Sequence, residues 1–177
     1  MLKSSGLGQQ QSEAPMRSFY RRNLPHIERF IAAYFVTFRT KDDLFLPPAA
    51  RDIAFTHCLY EDKKRVEMFA FVVMPNHVHL LFTPLESDQA EPYSLSEIMK
   101  GIKGSAAYNI NRLLGRKGSL WQDESFDRIM RPGDFEDKRN YIIANPMNAG
   151  LSKRPGEYPW CWTSSEVLVP RTHAEED

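Results

Sequence analysis

Apolar side chains alternate with polar ones, or run unbroken over four to eight positions, in several short stretches of this chain, and two further stretches carry the wider spacing of helices. Ala33 to Thr40 (AYFVTFRT) is dense in aromatic and β-branched residues and predicts a strand. Pro47-Pro48 closes the connection that follows. Residues 49 to about 64 contain few breakers and finish in EDKKR, which predicts a helix with cations near its negative end. Arg65 to Met74 and Asn76 to Thr83 are strand-like runs joined at Pro75-Asn76, hence an antiparallel hairpin. Ser94 and Glu97 have the spacing of a capping box. Behind it Leu95, Ile98, Met99, Ile102, Ala106, Ile110 and Leu113 form one helical stripe, with Lys100 and Asn111 on the opposite side and Gly115 as the stop. A short strand is expected within Ser125 to Arg131, and a last helix from Phe135 to Asn145, ending before Pro146.

The order βαββαβ followed by a helix predicts an α+β fold of ferredoxin-like (RRM-like) type, an antiparallel sheet with helices on one face and a further C-terminal helix. The 177 residues, 42% of them apolar, suffice for one self-supporting core. Residues 1–16, rich in Gly, Ser and Gln, are expected to be disordered, 17–165 to form the single domain and 166–177 a loose acidic tail. The first residues lack the apolar core of a leader, and the longest apolar run, Met68 to Met74, is too short for a bilayer. Cys58 and Cys161 match no metal or redox spacing. Reduced structural thiols in a cytoplasmic protein without membrane contact are expected.

Lys plus Arg equal Asp plus Glu at 23 each, which at first sight disfavours nucleic acid. The charges are segregated, however. Between Lys100 and Arg131 seven cations (Lys100, Lys103, Arg112, Arg116, Lys117, Arg128, Arg131) face three acids, and Lys3, Arg17, Arg21 and Arg22 precede them, while acids collect in Leu85 to Glu91 and the HAEED tail. Such a pattern suits phosphate contacts, and equally an ordinary solvated face.

The sharpest local feature is Met74-Pro75-Asn76-His77-Val78-His79. Residues two apart in a strand share a side, so His77 and His79 project together and could hold a divalent metal, or simply fill surface. On the last helix Tyr141 and Asn145 stand one turn apart on one face, a nucleophile followed by a polar ligand. Of the other six tyrosines, none has a free metal-ligating residue four positions on: Tyr93 is followed by Glu97, which the capping box already uses. The alternative is that Tyr141 packs under the sheet and Asn145 merely ends the helix.

In order along the chain, YRRNLPH (Tyr20 to His26), AYFVTFR, FVVMPNHVHLLF, SEIMKGIKGSAAYNIN, WQDESFDRIMR and YIIANPMNAGL resemble the REP-associated tyrosine transposases, single-tyrosine members of the IS200-like HUH nucleases, over residues 17 to 165. The resemblance implies metal-dependent cleavage and strand transfer of single-stranded DNA at short palindromic hairpins, through a covalent 5′-phosphotyrosine. It implies Tyr141 as nucleophile, His77, His79 and Asn145 as ligands of Mg²⁺ or Mn²⁺, and a monomer, although some transposases of this class exchange the tyrosine helix within dimers. Asn145 is one methylene shorter than the Gln often found there. Arg21 and Arg22 are candidate base readers by resemblance, Trp121 and Arg131 match family positions, and Lys100, Lys103 and Arg128 are candidate DNA contacts; Trp121, Phe126 and Tyr20 could stack on bases or sit in the core. The competing reading from another class is a catalytically silent module of the same fold that binds hairpin DNA or RNA. A His-triad hydrolase is disfavoured by Leu81, where its third alternating histidine would stand.

Overall fold

Strands rich in β-branched and aromatic residues gain most when they pair in the middle of a sheet with both faces covered, and the three densest such runs occupy its centre. The computed structural model describes residues 33–131 and 133–164. Its elements are β1 (Tyr34–Arg39), α1 (Pro48–Glu61), β2 (Val66–Val73), β3 (His77–Pro84), α2 (Leu95–Met99), α3 (Ser105–Leu113), β4 (Phe126–Ile129), α4 (Asp134–Asn148) and β5 (Cys161–Thr163). The five-stranded sheet has the order β4-β1-β3-β2-β5, every pair antiparallel. The first four strands give the expected βαββαβ arrangement, with β3 in the centre.

The two faces bury different helices. Val36, Phe38, Phe71, Val78, Leu80 and Phe82 meet α1 and the α2–α3 stripe, from which Ile98, Ile102, Ala106 and Ile110 are fully buried. On the other face Phe35, Ala70, Val72 and Leu81 meet Ile142 of α4. The register between β2 and β3 slips between Met68 and Ala70, so Phe69 joins Ala70 on the α4 side instead of alternating away from it. There Phe69 takes the ring of Phe135 edge-on at 5.0 Å.

Three features depart from the sequence expectation. Between α2 and α3 the backbone makes a π turn, Lys100–Gly104. Gly101 lies against the Arg65 guanidinium, which binds buried Glu61 through two 2.6 Å hydrogen bonds, and a Cβ at position 101 would collide with it. The last helix does not end at Asn145: it passes through Pro146, which is buried, and closes after Asn148 with Ala149 N–H donating to the Asn145 carbonyl at 3.0 Å. Proline forfeits one helical hydrogen bond, and here its ring is buried, as is Ile142 one turn before it. Third, β5 adds an unexpected edge strand. Arg51, 8% exposed, donates to the Tyr158 hydroxyl (2.7 Å), which donates to the Val73 carbonyl (3.1 Å), while the Arg51 guanidinium lies 3.8 Å over Trp160 and Trp162 stacks on Phe71 at 5.6 Å.

Both cysteines are free thiols, and burial raises their pKa, that of Cys161 to about 11. Among the described residues no helix is long and apolar enough to cross a membrane. Residues 1–16, Tyr20, Arg21, Arg22 and the 166–177 tail lie outside the described residues.

Candidate active site

The His-x-His pair starts the central strand, and its position is fixed from below by the turn that precedes it. Thr40 N–H and Leu46 N–H donate to the Asn76 and Pro75 carbonyls (2.9 and 2.6 Å), tying the β2–β3 turn to the loop after β1. Strand alternation puts His77 and His79 on the α4 face, opposite Arg39 and Thr37 of β1. Their rings meet edge-on at 4.8 Å.

Hydrogen bonds orient both rings. His77 Nδ1 lies 2.7 Å from Asn76 Oδ1, and the Asn76 amide is oriented by donating to Asp43 Oδ1 at 3.4 Å. Asn76 therefore accepts, His77 Nδ1 carries the proton, and the lone pair is left on Nε2. His79 Nδ1 is 2.7 Å from the Thr37 hydroxyl, and its Nε2 faces the Asn145 amide at 3.4 Å.

Helix α4 delivers Tyr141 and Asn145 by rotation. Ile142 and Pro146 are buried against the sheet, so the residue before each, about 100° back around the helix, points along the sheet towards the histidines. The helix starts at Gly133, whose φ of 96° suits glycine, and Arg128 of β4 anchors Asp134 at 3.1 Å. The Tyr141 ring packs edge-on against His79 (5.2 Å) and Phe35 (6.1 Å) and stays 43% exposed, whereas His79 is 5% exposed.

Two cations that were not among the candidates read from the sequence complete the site. Lys138 Nζ lies 5.1 Å from the Phe35 ring and 5.5 Å from the Tyr141 ring, one turn before the tyrosine, and exposed Arg39 pairs with Asp43 at 3.8 Å beside His77. Desolvation, and then Arg39, lower the His77 pKa; desolvation, then His77, Arg39 and Lys138, bring His79 down to about 3. Both imidazoles are neutral at pH 7, as metal ligation requires.

The remaining candidates separate. Arg128 shares the histidine face through its pairing with Phe35. Lys100 and Lys103 do not: they line a shallow groove with Asp123, Ser125 and Asp127 on the far side of β4, where Lys103 donates to Ser125 Oγ (3.0 Å). Arg131 is exposed beyond β4. Trp121, offered as a base contact, is a core residue, 4% exposed, set edge-on against Phe38 at 4.9 Å with its indole N–H on the Lys103 carbonyl (2.9 Å).

Among the described residues no group of three His, Cys, Asp or Glu side chains comes together. The donor set here is two imidazoles and one amide. Asn145 now turns Nδ2 to His79, and a half-turn of the amide brings its oxygen to the same place. Two imidazole nitrogens and an amide oxygen are donors that a divalent cation accepts, with coordination left over for water or a phosphate oxygen.

Two outcomes follow from these contacts. The depressed His79 pKa means that between pH 6.5 and about 3 only the unfolded chain takes up this proton, so stability present above pH 6.5 drains away as pH falls. Urea unfolding in chelator should lose about 1.5 kcal/mol between pH 6.5 and 5 from this group alone, and His79→Gln should flatten that slope. Asn76→Ala frees His77 to rotate and should weaken Mn²⁺ binding about 10- to 100-fold, read by titration calorimetry; unchanged affinity would separate Asn76 from the site.

The sequence model of a family described as "Transposase IS200 like" matches residues 45–145. The chain is similar in fold to the REP-associated tyrosine transposase solved bound to a REP hairpin, with a TM-score of 0.59, 23% identity and coverage of 82% of each chain. A candidate transposase from Deinococcus radiodurans R1 aligns with a TM-score of 0.44 and 18% identity over 71% of this chain and 97% of that one. No curated protein matches significantly.

Proposed function

The chain belongs to the IS200-like transposase family, and from that premise we propose that it cuts and rejoins single-stranded DNA at short palindromic hairpins, with Tyr141 as the nucleophile. The observation that supports this reading best is the convergence of His77, His79, Asn145 and Tyr141, from two elements more than sixty residues apart, on one face of the sheet. A silent binding module needs no such set. The similar fold was solved with a REP hairpin, which favours a hairpin as the partner here.

In this mechanism the Tyr141 oxygen forms a bond to phosphorus as the bond from phosphorus to the 3′ oxygen breaks. The phenol gives up its proton, and the departing oxygen keeps the electron pair and takes up a proton in its place, leaving a 3′-hydroxyl, while the 5′ phosphate stays on the tyrosine as a diester. Attack by the 3′-hydroxyl of another strand reverses the step and releases Tyr141. The stored ester explains the choice of tyrosine: water as nucleophile would discard the phosphodiester that strand transfer must restore. His77, His79 and Asn145 would hold a divalent ion, Mg²⁺ or Mn²⁺, which when bound polarises the scissile phosphate and neutralises charge in the transition state. Lys138 and Arg39 draw the phosphate towards the site, and α4, clamped by Phe135 and Ile142, holds Tyr141 in line with it.

The test incubates the full chain and a labelled single-stranded hairpin with Mn²⁺ or Mg²⁺ and looks for a shifted, covalent band on a denaturing gel. A band that needs metal is expected. Hairpin binding without a band, for hairpins drawn from the protein's own genome, would assign it to the silent binding class instead.

A further inference from the structure

Cross-strand register sets Phe126 of β4, Thr37 of β1 and His79 of β3 in one row. Directly opposed residues of an antiparallel ladder point to the same side, and Thr37 bonds His79 Nδ1 at 2.7 Å. Phe126 thus stands on the face of the candidate site, two strands from His79, or about 10 Å at the usual strand spacing.

This ring is 61% exposed, whereas Phe35 and Phe69 on the same face are 5% and 6% exposed beneath α4. It contributes little to the core. Its surroundings are cationic: Arg39 follows Thr37 on the same face of β1, Arg128 follows Phe126 two residues on, and Lys138 projects from α4 over Phe35. Arg128 is paired with Asp134 at 3.1 Å and Arg39 more loosely with Asp43 at 3.8 Å, and among the described residues no carboxylate forms an ion pair with Lys138. An occupant that suits one bare ring on a face shared with Arg39, Arg128 and Lys138 is flat, apolar on its face and anionic along its edge. A nucleobase on its phosphate backbone has that chemistry. A base inside a duplex hides both faces, so the base must be unpaired. A second copy of this chain is disfavoured, because one isolated ring is far too little apolar area for a stable dimer.

We propose that Phe126 is a stacking platform for an unpaired base in the single strand flanking the cleaved phosphate; this rests on the function proposed above. Aromatic platforms beside charged tracks are how single strands are held without reading sequence. Of the three aromatic residues that the sequence offered for stacking, Trp121 is in the core, Tyr20 lies outside the described residues, and Phe126 is open.

The test uses the full chain carrying Tyr141→Phe, so that the strand is bound and not cut, and two oligonucleotides: a bare hairpin, and the same hairpin with a single-stranded extension carrying 2-aminopurine at successive positions. Quenching at one or two extension positions is expected with Phe126 intact. Adding Phe126→Ala should remove that quenching and weaken binding of the extended hairpin roughly tenfold, leave the bare hairpin unchanged, and leave thermal stability unchanged; Phe126→Trp should restore both signals. Unaltered quenching and affinity in Phe126→Ala, or an equal loss for both oligonucleotides, would overturn the platform and leave the proposed function standing. If the protein with Phe126 intact binds neither oligonucleotide, the proposed function fails and the platform fails with it.

Discussion

His79→Ala is expected to lower metal-dependent cleavage of a hairpin by about 10³-fold or more, since a bound ion supplies several kcal/mol of transition-state stabilisation. The effect is expected to exceed that of His77→Ala, because His79 is the more deeply buried of the two histidines: 5% exposed, held at Nδ1 by Thr37, and ringed by Phe35, His77 and Tyr141 at 5.6, 4.8 and 5.2 Å. Alanine also leaves a cavity under Tyr141, which costs about 2 to 4 kcal/mol of stability for a buried ring of this size. His79→Gln separates the two effects by keeping much of the volume and a partner for Thr37 while removing the imidazole. Cleavage rate and Mn²⁺ affinity should fall together in His79→Gln with most of the stability retained. Cleavage within tenfold of wild type in both variants would remove His79 from the chemistry.

The second large effect is expected from Tyr141→Phe. Only the hydroxyl is lost: the ring contacts to His79 and Phe35 persist, and the side chain is 43% exposed, so stability should stay within about 0.5 kcal/mol. Affinities for Mn²⁺ and for the hairpin should change less than about twofold, the cost of one exposed hydroxyl. The covalent adduct should vanish completely, and strand transfer with it. Cleavage that persists without an adduct would make water the nucleophile and reduce Tyr141 to a packing residue on His79. The acid-stability, Asn76 and Phe126 measurements probe the same site from its electrostatics, its turn and its open edge.

Much of this arrangement was legible in the sequence because it follows from short-range periodicity. Alternation gave the three central strands, the capping box at Ser94 and Glu97 is formed, and strand and helix geometry alone put the two histidines on one face and Tyr141 and Asn145 one turn apart. What escaped depends on contacts between distant residues. Three residues, Cys161–Thr163, are too few to show a period, and β5 is held instead by Arg51, Tyr158 and Trp160. In the π turn Gly101 passes the Arg65–Glu61 pair with no room for a Cβ, a contact between residues far apart in sequence. Pro146 reads as a stop and is instead carried inside α4, which makes Asn145 an interior helical residue with its amide aimed at His79. Arg39 reaches the site only through the β1–β3 register, and Lys138 only through the rotation of α4 that Ile142 sets. Charge counting selected Lys100 and Lys103, but it is blind to faces, and both lie in a groove on the other side of β4.

If Tyr141 becomes bonded to DNA, mass spectrometry of the adduct will locate the bond. Full-length protein is incubated with a hairpin single strand and Mn²⁺, the covalent product is digested with protease and nuclease, and the modified peptide is sequenced. The expected result is a nucleotide joined through its 5′ phosphate to Tyr141, with a free 3′-hydroxyl on the released strand. A nucleotide on any other residue, or a cleaved hairpin with no protein-bound nucleotide, would contradict it.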